Sequence, residues 1–197
     1  MLFGKIKAYL KFRKQKKIAG WVRAGIVPQG IPKDEIFEAL KATKPNAAEM
    51  FGFLSAKVYR DGKMIQDLGL QSVKEVTTVF AELLVDGLMD SAVCADLDHF
   101  NFHAMGAGST AETDTETALV DEKAVKQAGS QTHGATSNIY KSVKTMTATS
   151  AFGVREHGIF DTLTGGNLLD RSLVTNIDLN TDDEVAWTYE LTVNAGG

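Results

Sequence analysis

The stretch VAWTYELTV, residues 185–193, decides the fold class. Its large apolar side chains stand at every second position: Val185, Trp187, Tyr189, Leu191 and Val193. Small or polar residues fill the positions between them: Ala186, Thr188, Glu190 and Thr192. Alternation with a period of two is typical of a β-strand that has one face in a core. The sequence therefore predicts a half-buried strand at residues 185–193.

Short alternating segments upstream of this strand predict a β-rich region over residues 98–197. They cover residues 98–106, 138–150, 152–160 and 167–174. Glycine-rich or acidic stretches at 106–110, 110–122 and 129–137 lie between them and have the composition of surface loops. Strands at such spacing predict a mainly β fold, a jelly-roll-like β-sandwich or barrel with one or two α-helices.

The β-rich body is expected to begin with a hairpin at residues 51–70. Asp61 and Gly62 separate FLSAKVYR from KMIQDLGL, and both residues tolerate the positive φ angles of a two-residue turn. The register predicts a shared apolar face: Leu54, Ala56, Val58 and Ile65.

A capped helix is expected next, over residues 72–87. Ser72 and Glu75 have the spacing of a capping box. An apolar stripe at helical spacing follows them and stops near Gly87: Val76, Val79, Phe80, Leu83 and Leu84. This stripe predicts a helix that covers one side of the hairpin or sheet.

Residues 1–50 predict a basic N-terminal arm with short helices. Residues 1–24 hold eight Lys and Arg and no acid, which leaves 13 basic and 25 acidic residues in the rest of the chain. Phe3, Ile6 and Leu10 fall near one stripe of a short amphipathic helix. A second short helix is expected after Pro32, with Ile36, Phe37 and Leu40 on one face, and Pro45 is expected to end it.

The cations of this arm and one aromatic residue are the candidate partner-binding residues: Lys5, Lys7, Lys11, Arg13, Lys14, Lys16, Lys17, Trp21 and Arg23. Such a segment suits phosphate, anionic lipid or an acidic protein surface. The net negative charge of the remaining chain would repel a nucleic acid, so we expect an acidic protein surface. Aromatic residues among the cations leave single-stranded nucleic acid as the alternative.

No motif predicts a catalytic residue, a cofactor site or a metal site. His99 and His103 would lie about 13 Å apart on an extended strand, too far to share one ion, so we expect a polar face opposite Phe100 and Phe102. Residues 106–110 (GAGST) lack the Gly-Lys-Ser/Thr ending of a phosphate loop, and no Gly-x-Ser-x-Gly marks a nucleophile. The acidic run is expected to form a solvated turn: Asp178, Asp182, Asp183 and Glu184.

Targeting signals and cysteines point to synthesis in a reducing cytoplasm. The single cysteine, Cys94, excludes an intramolecular disulfide and is expected to be a small core residue. Lysines interrupt the apolar residues of the first segment, and no apolar run of 18 residues occurs, so neither a secretory signal nor a membrane span is expected.

The region 98–197 resembles a family of virion proteins of tailed double-stranded DNA bacteriophages. Four segments carry the resemblance: FHAMGAGSTAETDTETALVDE, GSQTHGATSNIYKSV, VREHGIFDTLTGGNLLDRSLV and VAWTYELTVNAGG. Within them, His157-Gly158 and Gly165-Gly166 are expected to form tight turns, and Asp170 and Arg171 a polar contact at a strand edge. The resemblance implies a structural protein of the virion rather than an enzyme.

Resemblance and charge pattern together lead us to expect a capsid cement or decoration protein. It would form a homo-oligomer, with a trimer favoured, and would clamp neighbouring capsid subunits with its basic arm. Its partners would be the major capsid protein or other virion proteins. The alternatives are a tail, neck or baseplate component, a module that binds nucleic acid or a host surface, and, last, a hydrolase.

Overall fold

The computed structural model describes residues 2–24, 26–43, 49–89 and 97–194. These residues form three α-helices: α1 (Leu2–Arg23), α2 (Lys33–Thr43) and α3 (Thr78–Met89). They also form nine β-strands: β1 (Glu49–Arg60), β2 (Lys63–Glu75), β3 (Phe102–Gly106), β4 (Gln127–Ala128), β5 (Ser130–His133), β6 (Ile139–Thr147), β7 (Phe152–Phe160), β8 (Leu168–Leu179) and β9 (Glu184–Asn194). The chain divides into two compact units, Met1–Met50 with Val193–Gly197 and Phe51–Thr192.

The strands form two sheets, which confirms the predicted mainly β fold. Sheet A has five strands in the order β2-β1-β9-β6-β5, and sheet B has four in the order β4-β3-β7-β8. Contacts between inward side chains join the sheets: His103 of β3 bonds to Ser142 of β6, and the ring of His157 of β7 lies on that of Trp187 of β9. This arrangement is consistent with a β-sandwich.

The strand quoted above, β9, lies in the middle of sheet A between β1 and β6. Val185, Trp187 and Tyr189 are buried, as the alternation predicts. Val193 was expected to join them, but its side chain is 45% exposed. The ladder with β6 ends at the pair Ile139–Thr192, so Val193 extends past the partner strand and loses its cover.

The hairpin is confirmed, and its strands are longer than expected. Asp61 and Gly62 form the turn with φ angles of 51° and 71°. Leu54, Ala56 and Val58 are buried, but Ile65 is 51% exposed, so its predicted place on their face is wrong. Three register shifts interrupt this ladder, and Ile65 lies between the paired residues Met64 and Gln66 without a partner across the ladder.

The capped helix predicted over residues 72–87 is displaced. Ser72 pairs with Leu54 inside the hairpin ladder, so the capping box of Ser72 and Glu75 is wrong. The helix begins at Thr78, and the Thr77 hydroxyl accepts a hydrogen bond from the N–H of Phe80 at 3.2 Å, as an N-cap residue does. Of the predicted apolar stripe, Phe80 is buried and the others are half-buried: Val76, Val79, Leu83 and Leu84.

The helices of the N-terminal unit confirm one prediction and extend another. α2 begins after Pro32, with Asp34 and Glu35 in its first turn and Ile36 and Leu40 buried; Pro45 lies outside the described residues. α1 was predicted to be short, but it runs for 22 residues. Leu10, from its predicted stripe, is 57% exposed, because α1 packs on α2 through later residues: Ile18, Ala19 and Val22.

Several predictions in the region 98–197 need correction. The first strand begins at Phe102 rather than 98, because residues 97–99 form a 3-10 turn. The expected loop at 129–137 contains β5, and His157-Gly158 lies inside β7 rather than in a turn. Gly165 and Gly166 do form a turn, with φ angles of 66° and 84°. Cys94 lies outside the described residues.

Candidate functional site

Helix α1 presents the predicted cations. All eight lie on this one helix, whose last turns are fixed by packing on α2. The described side chains of six of them are exposed: Lys11, Arg13, Lys14, Lys16, Lys17 and Arg23. Lys5 and Lys7 lie on the described helical backbone, and Arg23 donates a hydrogen bond to the hydroxyl of Thr43 at 3.0 Å.

Two lysines of α1 lie against aromatic rings one helical turn away. The Nζ of Lys17 is 4.8 Å from the centre of the Trp21 ring, and the Nζ of Lys16 is 5.5 Å from that of Phe12. Cation–π contacts of this kind are worth about 0.5–1 kcal/mol at exposed sites. The contacts hold the two ammonium groups on the surface of the helix, where a partner can reach them.

Repulsion within α1 favours an anionic partner. Lys7 and Lys11, and Arg13 and Lys17, are like-charge pairs four residues apart. Each such pair costs an isolated helix about 0.2–0.5 kcal/mol. Cations near a helix N-terminus, such as Lys5, are unfavourable as well, since that end carries the positive pole of the helix dipole. An anionic surface beside α1 would relieve this repulsion.

The predicted polar face of β3 is wrong, because His103 belongs to the core. Its Nδ1 lies 3.0 Å from Nε2 of His157, and its Nε2 lies 2.8 Å from the hydroxyl of Ser142. Burial lowers the pKa of His103 to about 3 and holds that of His157 well below its ordinary value. Both rings are therefore neutral, and the bond from His103 to Ser142 joins the two sheets. His99, by contrast, lies in the 3-10 turn beside Asp98 and is exposed.

A second buried polar group lies where β1, β8 and β9 meet. Gly52 of β1 leaves room for the Asp170 carboxylate and the Tyr189 hydroxyl, because a Cβ at this position would lie 2.3 Å and 2.5 Å from their oxygens. Burial raises the pKa of Asp170 to about 6. The pKa of Tyr189 lies well above its ordinary value, first through burial and then through the charge of Asp170.

Arg171 and Glu156 fix a long loop onto the outer face of sheet B. Glu156 is fully buried and accepts hydrogen bonds from the N–H groups of Gly108, Val120 and Asp121 at 2.7–3.0 Å. Arg171 Nε donates to the same carboxylate at 2.7 Å, and its Nη1 donates to Glu116 at 2.6 Å. Burial alone would raise the pKa of Glu156, but these bonds outweigh it and the pKa is lowered. The carboxylate is thus a structural anchor.

The outcome for Asp170 and Arg171 differs from the predicted contact at a strand edge. β8 does lie at the edge of sheet B, but both side chains are only 3% exposed. Arg171 points toward the loop and Asp170 toward sheet A, so they serve two separate networks.

The acidic run was expected to form a solvated turn, but this prediction is wrong for Asp183. Asp183 is buried and accepts two hydrogen bonds from the Arg60 guanidinium, at 2.7 Å and 2.6 Å. These bonds hold the pKa of Asp183 down, at about 2. Among the residues that the structure describes, no three His, Cys, Asp or Glu side chains converge as a metal site requires.

None of the described helices has the length and apolar character needed to cross a membrane. Comparison with protein-family models, with curated proteins and with solved structures finds no match for this chain. The resemblance to phage virion proteins therefore stays a prediction. The candidate functional site is the exposed cationic surface of α1.

Proposed function

We propose that this protein is a non-enzymatic structural component of a bacteriophage virion, a cement or decoration protein with a jelly-roll-like body. It clamps neighbouring capsid subunits with α1. The observation that carries the proposal is the charge of α1, a 22-residue helix with eight cations and no acid. Six of those cations have described, exposed side chains.

The use of the reactive side chains in the body supports a structural role. His103 and His157 are 0% and 1% exposed and bond to each other, so a substrate cannot reach them in this fold. Glu156 and Arg171 are equally buried and tie a loop to sheet B. Histidine, glutamate and arginine side chains are common in catalytic sites, but in these networks they stabilise the body.

Charge indicates the chemistry of the partner. Outside residues 1–24 the chain carries 13 basic and 25 acidic residues, a net charge of −12. A polyanion that approached α1 would meet repulsion from the rest of the chain. A protein surface with a local acidic patch avoids this cost, because it needs to meet only the helix. Each α1 that reaches a neighbouring subunit adds binding by multivalency.

The test is retention on purified particles. Particles would carry either the wild-type chain or a variant with Lys11→Gln, Lys16→Gln and Lys17→Gln, which keeps helix-forming side chains but removes three charges. We expect the variant to be lost from particles at lower salt and to leave them less resistant to heat. A matched control, Lys57→Gln, Lys63→Gln and Lys123→Gln, changes three lysines of the body instead.

The copy number on the same particles decides the position in the virion. Hundreds of copies place the protein on the shell, whereas a handful place it in the tail, neck or baseplate. Full retention of the α1 variant, or absence of the wild-type chain from particles, would overturn the proposal. DNA binding by the isolated protein that weakens steeply with salt would favour a nucleic-acid-binding module instead.

A further inference from the structure

Helix α3 leaves much of its apolar surface uncovered. Its inner side contributes Phe80, which is 5% exposed and lies edge-on to the ring of Phe100 at 5.0 Å. Its outer side exposes Val85 at 57%, Leu88 at 89% and Met89 at 83%. A soluble domain rarely leaves several large apolar side chains together on one helix face unless a partner binds there.

Acidic residues run beside this apolar stripe. Ala81, Val85 and Leu88 follow one another at helical spacing, and Glu82 and Asp86 form the adjacent row. A groove of about 460 Å³ lies along these positions, between Thr78 and Asp86. The sequence of α3 contains two acids and no Lys or Arg, so the whole face is apolar and negative.

The negative charge of this face indicates which kind of surface can bind to it. Packing α3 against α3 of a second copy would bring Glu82 and Asp86 of both chains together, and they would repel each other. The complementary surface is a basic helix that also exposes apolar side chains. α1 is such a helix: Leu10 is 57% exposed with Lys17 on its side of the helix, and Phe12 is 43% exposed with Lys16 on its side.

We propose that the outer face of α3 binds α1 of a second copy of this chain. Leu10 would pack on the stripe of Val85 and Leu88, and Lys17, on the same side of α1, would pair with Glu82 or Asp86. The proposal rests on the proposed function in that α1 is the gripping element, and it names one partner of that element. On a shell, such contacts would link neighbouring copies and, through them, the capsid subunits on which they sit.

The geometry of this contact is heterologous, since two different surfaces meet. A heterologous contact forms a closed ring when its rotation closes and an open chain when it does not. Each copy offers one α1 and one α3 face, so every copy in a ring is bound twice. The favoured trimer would be one such ring.

Two charge-reversed variants test the pairing. The first carries Lys11→Glu, Lys16→Glu and Lys17→Glu on α1, and the second carries Glu82→Lys and Asp86→Lys on α3. The readout is the mass in solution, from light scattering after size-exclusion chromatography, with circular dichroism to check folding. We expect the wild-type chain to associate and each variant alone to be a monomer. An equimolar mixture should associate, because each α1 then meets an α3 face of opposite charge on the other variant.

A third variant with all five reversals should associate again, since the signs are exchanged rather than removed. Lys57→Glu, Lys63→Glu and Lys123→Glu on the body form the control and should associate like the wild type. A monomeric wild-type chain, or a mixture of variants that stays monomeric, would overturn the pairing. Contact of α1 with α3 of its own chain would also overturn it, and would be seen as monomers in every sample.

Failure of this inference and failure of the proposed function give different results. If the wild-type chain is a monomer in solution but α1 is needed for retention on particles, the self-association falls and the virion function stands. If the chains associate in the predicted pairs but are absent from particles, the function falls and the pairing stands.

Discussion

The buried pair of Arg171 and Glu156 and the exposed cations of α1 are two opposite uses of charge in one chain. Arg171 and Glu156 have fully buried side chains and direct bonds at 2.7 Å. Lys16 and Lys17 are exposed and lie over aromatic rings. The charges of Arg171 and Glu156 neutralise each other inside the body, whereas those of Lys16 and Lys17 lie at the surface. We therefore expect binding to depend on the exposed charges of α1, and the stability of the body to depend on its buried ion pair.

The largest difference should appear when one charge is removed from each region. Arg171→Met leaves the Glu156 carboxylate buried without its cation, and breaking a buried pair in this way costs about 3–5 kcal/mol of unfolding free energy. Lys17→Met on α1 should change it by less than about 0.5 kcal/mol. Urea unfolding, followed by fluorescence of Trp187 in a Trp21→Phe background, measures both values on the body.

The double variant Arg171→Met with Glu156→Gln is the control for that experiment. It removes both charges, so it should recover part of the stability that the single variant loses. A cost of Arg171→Met no larger than that of Lys17→Met would show that the buried pair does not anchor the loop.

Two glycine substitutions sharpen the comparison without changing any charge. Gly52→Ala should lower the unfolding free energy by about 3 kcal/mol, because its Cβ would overlap the Asp170 and Tyr189 oxygens in the core. Gly20→Ala on α1 should raise helix stability by about 0.5–1 kcal/mol, since nothing lies within 4 Å of its Cβ position. Thermal unfolding followed by circular dichroism should show a lower melting temperature for Gly52→Ala and a higher one for Gly20→Ala. Shifts in the same direction would contradict the difference in packing at the two glycines.

Acid should destabilise the body through its histidines. Their folded pKa values lie far below the unfolded value near 6.5, so below that pH the unfolded chain binds protons that the folded chain does not. Asp170 opposes this effect: its folded pKa of about 6 exceeds the unfolded value, so its contribution is present at low pH and is lost as the pH rises through 6. Two histidines outweigh one aspartate, and we expect a net loss of about 2 kcal/mol between pH 7 and pH 5.

The variant His103→Gln should flatten this pH dependence, because an amide can bond to Ser142 but does not titrate. His133→Gln, at an exposed position of β5, is the matched control for the substitution itself. Urea unfolding at pH 5, 6 and 7 measures the slope. An unchanged slope in His103→Gln would mean that other groups cause the acid sensitivity.

The sequence predicts features that depend on neighbouring residues and misses those that depend on distant ones. The turn at Asp61-Gly62 and the strand β9 follow from local φ preferences and from alternation. The helix start was misplaced because Ser72 and Glu75 fit a capping box as well as a strand, and the pairing of Ser72 with Leu54 decided between them. Local spacing carries no information about that partner.

The candidate site shows the same division. The exposed cations of α1 could be listed from the sequence, because lysine and arginine side chains are rarely buried. The burial of His103 could not, since it depends on Ser142 and His157, 39 and 54 residues away. The exposed stripe of Val85 and Leu88 was likewise missed. An apolar helix is ordinarily expected to be covered by the rest of the domain, but of the α3 side chains only Phe80 is buried. One signal was present, the acidic row of Glu82 and Asp86 beside the stripe.

A small effect is also expected from the ion pair between Lys14 of α1 and Glu35 of α2. Their charged atoms are 2.5 Å apart, but the side chains are 62% and 37% exposed. Water and salt screen such pairs, so Lys14→Gln should cost less than about 1 kcal/mol, and the difference should vanish in concentrated salt. Loss of Lys14 also removes repulsion with Lys11 and Lys17, which opposes the cost. Helix content against urea, at low and high salt, gives the value; a cost near that of Arg171→Met would mean that α1 uses its charge for stability, as the body does.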